Sequence, residues 1–223
     1  MDVDNCQYAF KETRVSLEAS SSTFIVNIRV PPPNSRTSHR RHNADGKDTD
    51  EENVFALKNL ASSSTIFRRR VHASPRSFLW RVLEDGLVLS VRAVDVFRQD
   101  VSPEAPYILN FHFPSSIQQS CVALAEPENN DALCIFVIDQ AGNLYSFTLR
   151  TDNFRRRASD SSVKDGCSVF SSQSLSNGQP LRLVVASADR ILVTLRDGGL
   201  VRLDRNTTGD CKASFFTESP SAC

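Results

Sequence analysis

The chain has 223 residues, with 26 Lys+Arg balanced by 26 Asp+Glu and a formal net charge of zero. Its 40% hydrophobic and 23% charged residues are enough to bury one sizeable core. The neutral balance excludes the broad basic footprint of a protein that grips nucleic acid directly. The apolar run Leu133 to Ile138 is far too short for a membrane-crossing helix, so no transmembrane segment is expected. The polar start Met1-Asp2-Val3-Asp4-Asn5 does not read as a secretory signal, and the expectation is a soluble, intracellular protein.

Residues 1–30 form an N-terminal strand region, in which Thr23 to Val30 (TFIVNIRV) alternates apolar and polar residues. Pro31-Pro32-Pro33 stops that strand, because a proline run cannot donate to a sheet ladder. The stretch 31–53 continues with polar residues, Gly and a single Ala, and is expected to be a disordered insertion. Residues 54–150 carry the first repeated strands, with weak helical periodicity only around Val54 to Leu60. Tyr107 to Phe113 and Cys121 to Ala125 add further strands. The stretch 151–180 has eight serines and the basic cluster Arg155-Arg156-Arg157, and reads as a second disordered loop. Residues 181–223 resume the strands, opening with Leu181 to Ala186.

Three stretches resemble one another: Leu79 to Val91, Ile135 to Phe147 and Ile191 to Leu203. Each is a pair of short apolar strands around a polar turn, and the turn residues Gly86, Gly142 and Gly198 recur every 56 residues. At that offset Leu79, Ile135 and Ile191 superpose before the turn. After it Leu89 aligns with Tyr145 and Val201, and Val91 with Phe147 and Leu203. Repeated antiparallel hairpins at such a period indicate propeller blades. The fold expected is therefore all-β: the first blades of an incomplete β-propeller, with disordered insertions. A propeller closes with about four to eight blades, so the chain reads as truncated.

A search for chemistry finds no catalytic, cofactor-binding or metal-ligating set. No P-loop, nucleophile elbow or G-x-G-x-x-G occurs, and the six cysteines form no C-x-x-C pair. Asp197-Gly198-Gly199 lies between two strands and reads as a tight turn with positive-φ glycines at Gly198 and Gly199. Glu84-Asp85 reads as turn residues, since neighbours on a strand point to opposite faces. Short basic runs such as Arg68-Arg69-Arg70 and Arg155-Arg156-Arg157 are usually only solubilising; the rival reading of the first is part of a nuclear import signal. Arg155-Arg156-Arg157-Ala158-Ser159 fits a basic-directed kinase site with Ser159 as the acceptor. Asn206-Thr207-Thr208 matches a glycosylation triplet that matters only in a secreted chain. Trp80 reads as a core anchor.

The stretch Phe78 to Leu89, with Leu133 to Leu149 and Asp189 to Leu203, resembles the N-terminal β-propeller of the large Y-complex scaffold nucleoporins. This is the hundred-and-twenty to hundred-and-sixty kilodalton family, in a fungal version. The resemblance covers about residues 77 to 205. It departs at Ser90-Val91, where the family more often has a Glu and a Leu. It implies a seven-bladed propeller followed by a helical domain, at the nuclear pore complex of the nuclear envelope. It further implies an architectural role supporting nucleocytoplasmic transport and mRNA export, with other Y-complex nucleoporins as partners. No catalytic residue, cofactor, small-molecule substrate or direct nucleic-acid contact is implied. The rival reading is a generic propeller adaptor that captures peptides. A propeller hydrolase would need carboxylates or histidines converging on the channel, and the histidines are too scattered for that.

Overall fold

The computed structural model describes residues 24–33, 64–67, 77–94, 104–127, 132–155, 163, 166–206 and 211–216. Their strands form three sheets. The first contains β1 (Phe24–Arg29), β2 (Ser64–Phe67), β3 (Ser77–Leu83), β4 (Val88–Val94) and β5 (Glu104–His112), in the order β1-β5-β4-β3-β2. The second is the meander β6 (Ile117–Ala125), β7 (Ala132–Asp139), β8 (Asn143–Arg150) and β9 (Cys167–Ser171). The third is the meander β10 (Pro180–Ser187), β11 (Arg190–Leu195), β12 (Leu200–Arg205) and β13 (Cys211–Phe216). Pairing within each meander is antiparallel; only β1 joins in parallel, in register with β5 from Phe24 opposite Tyr107 to Arg29 opposite His112.

Side-chain alternation assigns each face of the second sheet to a different core. Leu133, Ile135 and Val137 of β7, with Tyr145, Phe147 and Leu149 of β8, pack against Phe78, Trp80, Leu89, Val91, Leu109 and Phe111 of the first sheet. Cys134, Phe136, Ile138 and Leu144 face the other way, onto Leu183, Ile191, Val193, Val201 and Leu203 of the third. This explains the unbroken apolar text of β7: a strand covered on both faces has no solvent side to make polar. Aromatic rings lock the first interface, with Phe111 and Phe147 centroids 4.8 Å apart and Phe113 and Tyr145 at 5.1 Å. The first strands of the second and third sheets, β6 and β10, lie against each other, as blades converging on an axis do. The fold is all-β and propeller-like.

The 56-residue repeat holds for the second and third hairpins but slips in the first. In β7–β8 and β11–β12 five residues separate the last paired positions, Ile138 with Leu144 and Thr194 with Leu200. In β3–β4 only four separate Leu83 from Val88, and Asp85 there takes a left-handed φ of 53°. One residue fewer turns every later side chain to the opposite face. Leu89 and Val91 therefore point toward the following sheet, whereas Tyr145, Phe147, Val201 and Leu203 point toward the preceding one. The expected superposition of Leu89 on Tyr145 is corrected accordingly.

The stretch 151–180, expected to be disordered, is built into the fold in its described residues. It carries a 3-10 turn at Thr151–Phe154, strand β9 and a short helix, α1 (Gln173–Gly178). Phe154, Val163 and Leu175 are each fully buried. The serine-rich composition concealed isolated apolar anchors: Phe154 packs at 5.3 Å on Phe78, and Leu175 enters the second core. Pro31 to Pro33 follow β1. The remainder of the 31–53 insertion, the Val54 to Leu60 helix candidate and Arg68 to Arg70 lie outside the described residues. Replacing Phe154 with Ala is expected to destabilise the chain by about 3–5 kcal/mol. An unchanged urea midpoint would show that this segment contributes nothing to the core.

Candidate interaction surfaces

The turns that bear the sequence-predicted residues are structural. Gly86, Gly142 and Gly198 have φ of 92°, 81° and 85°, a region that glycine enters without steric penalty. Gly199 is corrected: its φ is not positive. Its amide instead donates to Asp197 Oδ1 at 2.9 Å, an Asx turn that supports Gly198. At Gly142 an added Cβ would overlap the Ser176 backbone nitrogen, so α1 is seated directly on the β7–β8 turn. At Gly198 the same Cβ would meet nothing within 4 Å.

Beside Gly142 lies a buried polar cluster that strand patterning does not reveal. Asp139, only 2% exposed, accepts hydrogen bonds from the Asn143 backbone N–H (2.8 Å) and side-chain amide (2.9 Å), and from Tyr145 Oη (3.2 Å). Ser171 Oγ donates to Asn143 Oδ1 at 2.7 Å and ties β9 into the same cluster. Burial, and then the Asp139 charge, push the Tyr145 phenol far above its usual range, so it remains a donor. With Asp139, Asn143 and Tyr145 buried and Ser171 at its outer edge, the cluster fixes the hairpin. A second tie joins two sheets: Arg205 donates to Thr148 Oγ1 at 2.9 Å and to Cys134 Sγ at 3.7 Å. Burial raises the Cys134 and Cys121 thiols, and these two with Cys167 and Cys211 are free cysteines. Among the described residues, no group of three His, Cys, Asp or Glu side chains could hold a metal ion, and no helix is long and apolar enough to cross a membrane. Ser159 lies outside the described residues.

The outward face of the third sheet is different. Cross-strand register places Arg182, Thr194, Leu200 and Phe216 in one row, Val184, Leu192, Arg202 and Ser214 in the next, and Arg190, Asp204 and Lys212 in a third. Arg190 Nε donates to Asp204 Oδ1 at 2.9 Å, Arg202 Nε pairs with Oδ2 at 2.8 Å, and the Arg202 guanidinium lies 5.7 Å from the Phe216 ring centre. The Arg190 hydrogen bond, with both arginine charges, holds the Asp204 carboxyl below its usual range. Val184 is 45% exposed and Phe216 49%.

Four-stranded antiparallel meanders, stacked face to face with their first strands together, define a segment of a β-propeller. The family model for the Nucleoporin Nup120/160 β-propeller domain matches residues 76–222, and the chain belongs to that family of nuclear pore components at the nuclear envelope. It is 40% identical, over 98% of its length, to Nucleoporin NUP120 of Chaetomium thermophilum. It is 24% identical, over 70% of its length, to Nucleoporin nup120 of Schizosaccharomyces pombe. The chain spans 18% and 14% of those two relatives.

Two substitution pairs test the turn. Gly198→Ala introduces only the left-handed strain, about 1–2 kcal/mol; Gly142→Ala adds the overlap with α1, a further ~1–3 kcal/mol. Equal denaturation midpoints for the two variants would contradict the seating of α1. Tyr145→Phe removes one donor to Asp139 and is expected to lower stability by about 1 kcal/mol. Asp139→Ala strands several buried donors and is expected to lower it by about 2–4 kcal/mol; chemical denaturation separates the two.

Proposed function

We propose that the chain is a non-enzymatic scaffold element of the Y-shaped nuclear pore coat. Its rigid blade faces and edges contact neighbouring coat nucleoporins, and through them it supports nucleocytoplasmic transport and mRNA export. The observation that carries this reading is the family match over residues 76–222. The chemistry of the described residues agrees with it. Asp139, Asn143 and Tyr145 of the polar cluster are buried and hold a hairpin in place. Partners are other proteins of the coat, with no small-molecule substrate or cofactor.

Affinity purification of the tagged chain from its source cells tests the proposal. Recovery of coat nucleoporins is the expected result. Recovery of ubiquitin-ligase substrate-receptor components without them would favour a peptide-capturing adaptor instead.

A further inference from the structure

Among the described residues β1 borders only β5, at the end of the first sheet away from β2. That end is the rim of the blade, where a strand edge and not a blade face is presented. Val30 N–H donates to the His112 carbonyl, so by the two-residue strand period the backbone groups of Phe24, Val26 and Ile28 also turn to β5. Those of Ile25, Asn27 and Arg29 therefore turn to the other edge. A six-residue strand with such an edge is a template for one more strand.

The side chains of β1 point the same way. Ile28 and Val30 lie in the first core, and Val26 packs against it. Phe24 continues their row, stacked on Tyr107 at 5.5 Å, yet it is 57% exposed, and Ile25 beside it is 51% exposed. The row is thus buried at its far end and bare at its start, where 23 residues lead into it. Those residues lie outside the described ones, but their sequence carries a strand period. Thr13, Val15, Leu17 and Ala19 alternate with Arg14, Ser16 and Glu18, and Ser20, Ser21, Ser22 and Thr23 then separate them from β1.

We propose that residues 13–19 fold back along β1 as an antiparallel strand and close the edge of the first sheet. The serine-threonine connection has the length of a hairpin loop. Pairing Ser20 with Thr23 sets Leu17 opposite Val26, Val15 opposite Ile28 and Thr13 opposite Val30, which extends the row that enters the first core. The same register sets Glu18, Ser16 and Arg14 opposite Ile25, Asn27 and Arg29, whose backbone groups turn to that edge. A slip of one residue would instead turn Arg14, Ser16 and Glu18 toward the core. Arg14 opposes the like charge of Arg29, so the pairing is firmest from Val15 to Ala19. A second copy of the chain is the poorer occupant, because it competes with a segment tethered beside the edge by a short connection. The contact belongs to the first sheet alone and does not depend on the scaffold reading.

Cross-strand proton contacts and amide exchange are measured by NMR on the full chain. The Hα protons of Leu17 and Val15 are expected to contact those of Val26 and Ile28, since directly opposed residues outside the hydrogen-bonded pairs approach most closely. The amides of Ile25, Asn27 and Arg29 are expected to exchange at least about tenfold more slowly than in Ser16→Pro, which removes a ladder donor. Unchanged protection of Ile135 and Val137 shows that this variant keeps its core, and the wild-type contacts test the pairing without any variant. Rapid exchange of the three amides in the wild-type chain would overturn the inference, because the edge would then be open. Contacts of Val26 and Ile28 with another segment of the chain would overturn it as well. Protection that rises with protein concentration would do the same by assigning the edge to a second copy.

Discussion

The second sheet has no solvent face, and the arrangement of the other two follows from that constraint. Leu133, Ile135 and Val137 require apolar cover on one side of β7, and Cys134, Phe136 and Ile138 require it on the other. Fully burying each large aliphatic or aromatic side chain contributes about 1.5–3 kcal/mol, so both neighbours are held by the same strand. Polar groups inside this sheet then depend on internal partners, which the buried Ser146 Oγ lacks. Asp139 meets that demand with Asn143 and Tyr145, and Arg205 reaches across from the third sheet to Thr148. The central hairpin therefore packs on both faces and holds its turn through Asp139, while Gly142 leaves room for α1 to cover that turn.

Turn length governs the remaining differences. The four-residue connection of the first hairpin sends Leu89 and Val91 toward the second sheet. The five-residue connection of the third sends Val201 and Leu203 there as well, from the opposite side. The same two-residue strand period thus serves opposite faces, because a single residue in the turn reverses it. On the third sheet this leaves Leu200, Arg202 and Asp204 pointing outward, and the face they make combines apolar and charged groups.

Most strands were legible from the sequence. Alternation marked β1, the paired apolar runs marked β3–β4, β7–β8 and β11–β12, and the evenly spaced glycines marked their turns. The parallel pairing of β1 with β5 was not legible. It joins residues more than eighty positions apart, and nothing local encodes it. Nor was the order within 151–180. Phe154, Val163 and Leu175 are single apolar residues in serine-rich text, and their spacing matches no helical or strand period. The Asp139 cluster was hidden for a related reason: Asp139 and Asn143 resemble any polar turn until Tyr145 and Ser171 are brought beside them.

The sequence by itself determined the class of fold, the hairpins, the turn glycines and the family resemblance, because these depend on local period and on motifs read in order. Only the tertiary structure decided which face of each hairpin is buried, which serine-rich segment is anchored, and which arginines share a surface. Those outcomes depend on turn length and on contacts between distant strands, where a one-residue difference reverses a face and a lone phenylalanine acquires a core.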